Sequence, residues 1–327
     1  MQDKKYLNNS NIPLALAVFL ATDNYDYEEG VLSATSLIKP VRQLVLERRM
    51  KEMQEAEPLV DISGLLASRM GSAIHDAIER SWTISPQLAL KALGYPDRVI
   101  AKIRVNPEKP EPGTIPIYLE QRAYKQVGQF RVSGKFDFIG EGMVQDFKST
   151  GVYTYMHQTN ADKYILQGSI YRWLNPTLIT RDVMQIHYIF TDWSKADAMR
   201  NQKYPQERTV TQKFQLLSYE QTDAYIKRKL GALERLKDAP DSEIPDCDDE
   251  SLWRTSPVWK YYKDPAKMSR STKNFDDKSE AFARFAQDGS IGKVVEVPGQ
   301  VKACKYCKCF NICGQKDRLI ASGELVI

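Results

Sequence analysis

Gly134-Lys-Phe-Asp-Phe-Ile-Gly-Glu-Gly-Met-Val-Gln-Asp-Phe-Lys148 reads as a hairpin that forces two carboxylates and an ammonium into one small space. If Glu141-Gly142 forms a two-residue turn, Gly140 pairs with Met143, and the same register sets Asp137 opposite Asp146. Period-two alternation puts Lys148 on that face too, two residues past Asp146, while Phe136, Phe138, Met143, Val144 and Phe147 supply the apolar content. Like charges set opposite one another destabilise a sheet unless a cation or a proton neutralises them. A divalent metal with oxygen ligands does this, and Mg²⁺ typically uses one or two carboxylates plus substrate phosphate oxygens. Alone, Asp-x-Lys also fits an ordinary solvated strand, so its neighbours decide.

Upstream, Leu66, Met70, Ile74, Ile78 and Trp82 recur at helical spacing within residues 61–82, which predicts an amphipathic helix. Gly71, His75 and Glu79 form a second row beside the apolar one, the glycine leaving room for another backbone. The plainer reading is a surface His–Glu pair worth a few tenths of a kcal/mol. Downstream, Ala161–Leu174 predicts a helix with Gln167 and Tyr171 one turn apart. Both can donate to phosphate oxygens, although a half-buried tyrosine beside a glutamine is the default for the segment alone.

Taken in order, G-x-x-x-H-x-x-x-E, G-K-x-D, D-x-K and Q-x-x-x-Y resemble the PD-(D/E)XK nuclease superfamily, in its RecB-like branch that includes the CRISPR-associated exonucleases. The resemblance spans about Ser33 to Leu174, and Ser33–Arg42 looks like the family's lead-in to its first helix. It implies a restriction-endonuclease-like core and metal-dependent hydrolysis of phosphodiester bonds in DNA, most often as an exonuclease. By the same resemblance, His75, Asp137, Asp146 and the Phe147 carbonyl hold one or two Mg²⁺ or Mn²⁺ ions. Lys148 positions and helps deprotonate the attacking water. Gln167 and Tyr171 orient the DNA strand, and Glu79 either joins the metal shell or steadies His75. Glu120, on the preceding strand, is a weaker candidate for the acidic pocket. The implied settings are DNA recombination, repair or phage replication, with DNA ends as substrate and proteins of those processes as partners. The competing class is a catalytically inactive nuclease fold serving as a DNA-binding or assembly subunit. An intact His75, Asp137, Asp146 and Lys148 set argues against it.

Four of the five cysteines fall between residues 304 and 313, with Cys304, Cys307 and Cys313 in a C-x-x-C-x5-C pattern. So dense a thiol group in a reducing compartment points to metal rather than disulfides. The fourth ligand is Cys247 or Cys309, and Cys247 is preferred because it leaves the triplet intact. That triplet resembles the iron–sulfur staple of RecB-like nucleases, which implies a structural 4Fe-4S cluster on Cys247, Cys304, Cys307 and Cys313. Here the chain departs from the common pattern, in which the distant cysteine precedes the nuclease core. Zinc also accepts four thiolates, so spacing leaves the metal open.

At 327 residues with 42% apolar content, the chain can build one large domain or two of ordinary size. Its net charge of +4 is too small to announce nucleic-acid binding, but it is unevenly spread. Residues 238–250 carry seven acids and no base; from Arg254 to Arg318 there are fourteen Lys or Arg against seven Asp or Glu. That excess suits a phosphate backbone or, equally, a solvated face. Ile12–Ala21 is an apolar run of ten residues, too short for a bilayer and followed by acids rather than a cleavage site. A buried N-terminal helix and a reducing cytoplasm without membrane contact are the expectations.

Ile115–Val127 and Gln129–Ile139 read as strands, followed by Met143–Lys148, by Asp182–Thr191 as a central strand with a nearly continuous apolar run, and by Thr209–Leu217. Tyr219–Lys237 has helical periodicity and ends at a plausible boundary. The expected architecture is α/β, a mixed central sheet flanked by helices. A nuclease core covers residues 1–240 and a cysteine-bearing extension residues 241–327.

Overall fold

The computed structural model describes residues 6–23, 28–53 and 59–327. The chain divides into two compact units, one of Met1–Ile38 and Leu59–Gly231, the other of Lys39–Pro58 and Ala232–Ile327. The division falls inside the Tyr219–Leu236 helix rather than at 240/241, and the second unit takes in Lys39–Pro58.

The first unit is mixed α/β. Its six-stranded sheet runs in chain order from edge to edge: Ile103–Val105, Ile115–Leu119, Phe138–Gly140, Met143–Thr150, Val183–Phe190 and Thr209–Gln215. Successive pairings are parallel, antiparallel, antiparallel, parallel and antiparallel. Met143–Thr150 therefore lies inside the sheet, with Val144 and Asp146 fully buried. The Leu66–Ile84 helix packs against this strand from the side of Ser149, and Ala161–Leu174 also packs on the sheet. Phe136, Ile139, Ile170, Trp173, Met184 and Ile186 are among the largest fully buried side chains.

The two strands expected at 115–127 and 129–139 are each broken. Glu120 adopts a left-handed backbone (φ 52°), after which Arg122–Val127 leaves the large sheet. It pairs instead with Phe130–Lys135 in a three-stranded ribbon completed by Val31–Ser33. Phe130–Lys135 and Phe138–Gly140 part at the same level, where Phe136 donates its N–H to Gln121 and Glu120 donates its N–H to Asp137. Both chains thus change sheets together, and Asp137 sits at the corner.

Two expectations about burial are corrected. Leu14–Ala21 is helical, but only Leu20 is buried, with Leu14 80% and Val18 57% exposed. An eight-residue helix that is apolar all round has no polar face to turn outward, so packing one side exposes the other. In Leu66–Ile84 no residue is fully buried, and Leu66 and Met70 are exposed while Ile74, Ile78 and Trp82 are half-buried. Val183–Phe190 lies inside the sheet one strand from its edge. Its buried Met184, Ile186, Tyr188 and Phe190 alternate with half-buried residues rather than forming a continuous run.

The second unit carries the Val41–Glu52 helix and a three-stranded antiparallel sheet with Val258–Tyr262 between Lys273–Phe275 and Lys293–Val297. The sheet was not anticipated from sequence. Its acidic segment wraps one buried cation: Arg42 is 1% exposed, pairs with Asp241 (2.7 Å) and Asp246 (3.0 Å), and donates to the carbonyls of Asp241, Ile244 and Pro245. Among the described residues no helix is long and apolar enough to cross a membrane.

Candidate metal centre

The hairpin forms in the anticipated register. Glu141 (φ 52°) and Gly142 (φ 75°) are both left-handed, as a tight two-residue turn matching strand twist requires, and Gly140 pairs with Met143. The ladder continues to Phe138 opposite Gln145 and then opens. One step further, Asp137 faces Asp146, and the Asp137 carboxylate takes over as acceptor for the Phe147 N–H (3.3 Å). The opened ladder gives a side chain the place of a missing strand carbonyl.

His75 reaches this corner from the Leu66–Ile84 helix. Its Nε2 lies 2.7 Å from the Phe147 carbonyl oxygen and its Nδ1 3.2 Å from Asp137 Oδ2. Because a carbonyl only accepts, Nε2 carries the proton and Nδ1 is turned to the carboxyl. Gly71, one turn earlier, admits the strand: a Cβ there would sit 3.2 Å from Ser149 Oγ. Both ring nitrogens of His75 are occupied, which leaves none for Glu79. Glu79 is half-buried, and its carboxylate makes no hydrogen bond or ion pair among the described residues.

Lys148 is on the Asp146 face, its Nζ 2.7 Å from Oδ1 and 2.6 Å from Oδ2. Only the first contact has hydrogen-bond geometry; Oδ2 is fully buried and accepts none. Burial and the neighbouring Asp146 carboxylate hold the Asp137 carboxyl well above its ordinary range. Burial is the largest influence on Asp146 and opposes its charge, but the Lys148 ammonium, the hydrogen bonds from Asp137 and Lys148, and His75 together hold this group low. Lys148 in turn is raised against its own burial by Asp146 and Asp137. The pocket therefore stores about one proton between two acids.

His75, Asp137 and Asp146 offer ligand atoms all within 4.8 Å of one another. Glu120 stands beside this set, paired with Lys135 at 2.8 Å. Tyr171 is buried and donates no hydrogen bond to the pocket; instead its hydroxyl accepts from Gln167 Nε2 at 2.8 Å. Burial, then Asp137 and Asp146, push its phenol well above the usual value. Sequence reasoning missed Lys135 and Tyr164, whose ring lies 5.8 Å from Lys148 Nζ. The signals were present: Lys135 lies in the hairpin stretch, and Tyr164 shares a helical face with Gln167 and Tyr171.

In the second unit, Cys247 is tied to the C-terminal cysteines by Gln315, which accepts from the Cys247 N–H (2.8 Å) and donates to its carbonyl (2.9 Å). Burial and the Cys313, Cys307 and Cys304 sulfurs push the Cys247 thiol up to about 12. Cys309 is buried and turned towards the Gln43 carbonyl, 3.6 Å away. Among the described residues no three thiols come within 4.8 Å of one another. A tetrahedral zinc with Zn–S near 2.3 Å holds its sulfurs about 3.8 Å apart.

The fold is mixed α/β, and a histidine and two facing acids converge at the inner corner of its sheet. No family model and no curated protein matches the chain. Among solved structures it is similar to SSO0001, at 17% identity over 68% of this chain and 85% of that one, with a TM-score of 0.37. It is also similar to a phage related exonuclease from Haemophilus somnus 129PT, at 15% identity over 65% of this chain and 96% of that one, with a TM-score of 0.37. Likeness of this degree assigns no function.

Proposed function

We propose that the chain is a divalent-metal-dependent deoxyribonuclease that hydrolyses phosphodiester bonds, acting from DNA ends. The observation that carries this reading is the convergence of His75, Asp137 and Asp146, whose ligand atoms all lie within 4.8 Å of one another around two facing, buried acids. Two buried acids that face each other repel unless a proton or a cation neutralises one of them. A mixed set of one imidazole and two carboxylates suits Mg²⁺ or Mn²⁺. When bound, the metal supplies charge stabilisation at the scissile phosphate.

The chain's own residues do the rest. Asp146, Asp137, the Phe147 carbonyl and His75 through Nδ1, its ring nitrogen without a proton, would hold the cation, and the Lys148 ammonium would orient the attacking water beside Asp146. Tyr171 and Gln167 brace the pocket floor rather than reaching out to phosphate, since the tyrosine is buried and held by the glutamine. Glu79, free at the mouth, is available to a second cation. DNA recombination, repair or replication is the setting such chemistry suits.

For the second unit, the reading is a structural 4Fe-4S cluster on Cys247, Cys304, Cys307 and Cys313. The Gln315 clamp on Cys247 supports this ligand choice over Cys309. A brown, broadly absorbing protein with iron on elemental analysis is expected; a colourless protein with stoichiometric zinc contradicts it.

End-labelled single- and double-stranded DNA with both end polarities tests the main reading. Mg²⁺-dependent shortening by wild type, abolished in Asp146→Ala, is expected. Intact DNA that is nonetheless retarded on a gel by wild type and variant alike would instead establish a binding subunit.

A further inference from the structure

The cysteine-bearing unit displays an aromatic pair that its own folding does not require. Residues 248–254 end a turn in which Trp253 donates its N–H to Glu250 and Arg254 donates its N–H to Asp249. This is the bonding pattern of a helix C-terminus whose left-handed position favours glycine. Trp253 occupies that position with φ 49°, and it is 53% exposed. A bulky side chain in this conformation is strained, and exposure gives it no burial in return. Beside it stands Tyr306, 75% exposed, the two ring centroids 5.8 Å apart and tilted by 43°.

The two rings flank a cleft of about 500 Å³ lined also by Gln300, Lys302, Lys305 and Val326. The cleft is built rather than incidental. The Leu252 carbonyl accepts the N–H groups of both Lys302 and Ala303, locking the tryptophan turn to the segment that leads into Cys304. Leu252, Val301, Leu319 and Leu325 form a packed floor beneath it. In the tight Ala303–Tyr306 turn, Lys302 and Lys305 share a face, and both are exposed. Neither has an ion-pair partner among the described residues. The carboxylates of the neighbouring turn are already engaged: Asp249 and Glu324 hold Arg254, and Asp248 caps the Ser251 N–H.

We propose that the Trp253–Tyr306 cleft, with Lys302 and Lys305, is a binding site for single-stranded nucleic acid, the rings stacking on bases and the lysines meeting phosphates. Exposed aromatic faces beside unpaired ammonium groups are the two components of sequence-tolerant single-strand binding. A peptide groove would use the rings but has no need of two free lysines. The choice of DNA as ligand rests on the nuclease reading; the geometry of the cleft does not.

The test is anisotropy of a labelled oligodeoxythymidylate with the full-length chain in EDTA, where cleavage chemistry plays no part. Trp253→Ala and Tyr306→Ala are each expected to weaken binding roughly 5- to 150-fold. Trp253→Phe restores most of it. The double change Lys302→Glu, Lys305→Glu lowers the slope of log affinity against log salt by about 1.4. A base-free oligomer of equal charge binds wild type no better than the oligothymidylate binds Trp253→Ala. Trp253→Gly separates ligand binding from folding: it relieves the left-handed strain, so its melting temperature holds or rises while binding falls. Overturning results are binding within twofold of wild type for Trp253→Ala and Tyr306→Ala, equal affinity for the base-free oligomer, or no binding by wild type. Quenching of Trp253 by a proline-rich peptide but not by the oligonucleotide would also overturn the proposal and assign the cleft to a protein. Cleavage in Mg²⁺ is read separately, so loss of this site and loss of the nuclease reading give different patterns.

Discussion

Asp137 and Asp146 lie opposite each other yet shift in opposite directions, and the difference comes from which other neighbour each has. Lys148 stands against Asp146, while Asp137 has burial and another acid. A group whose folded pKa is raised contributes stability below its unfolded value, near 3.8, and loses it as pH climbs through the folded value. The metal-free protein is therefore penalised at neutral pH at this position, and a divalent cation removes the penalty by displacing the proton. The rise in melting temperature on adding Mg²⁺ should grow as pH increases from the ordinary carboxylate range upward. Paired thermal scans at several pH values check this, and an increment independent of pH contradicts it.

Lys148 gives a second prediction at this scale. Its ammonium lies against the oxygens that would bind the cation, so Lys148→Ala removes both a donor that orients the attacking water and a competing charge. Cleavage should fall roughly 10²- to 10⁴-fold while metal affinity is kept or improved. Single-turnover rates alongside metal titrations would expose a merely structural lysine, for which both would fall together.

At the scale of elements, the corner depends on close approach. A Cβ on Gly134 would meet Leu174 Cδ1 at 2.6 Å and the Tyr171 ring at 3.0 Å, so the Ala161–Leu174 helix sits hard against Phe130–Lys135. Gly134→Ala should destabilise the protein by about 1–3 kcal/mol, as overpacking does, with a matching loss of cleavage as Tyr171 moves. Denaturant unfolding measures it, and an unchanged midpoint would show that the helix yields freely.

The hairpin was legible in sequence because its turn chemistry and period-two alternation are local, and the His75 row because i, i+4 spacing is local too. The change of sheets at Glu120 and Asp137 was not. Residues 115–127 have uninterrupted strand character, and only tertiary pairing decides that the strand must break there. The two helices at 14–21 and 66–84 were found, but their exposed apolar faces were not, since periodicity gives a direction and not a partner. Tyr171 was anticipated as a hand reaching outward; its burial follows from the glycine across from it, a contact no local pattern encodes.

At the scale of the molecule, the acidic segment at 238–250, legible in sequence only as a run of acids at a domain boundary, forms a cradle for Arg42, nearly two hundred residues earlier in the chain. That pairing explains why Lys39–Pro58 folds with the cysteine-bearing unit. Arg42→Met takes the donor from three carbonyls and from Asp241, while Asp246 keeps Arg318 at 2.6 Å and both carboxylates remain partly exposed, so a loss of about 1–3 kcal/mol is expected. The second unit should then melt earlier; a wild-type melting profile contradicts the assignment.

The proposed activity requires that His75, Asp137 and Asp146 together bind a divalent cation. Titration of the metal-free protein with Mn²⁺, followed by electron paramagnetic resonance of the free ion, measures it directly. Saturable binding by wild type that is lost in Asp146→Asn, with the variant still folded, is the predicted result. Equal binding by the two proteins, or none by wild type, would contradict it.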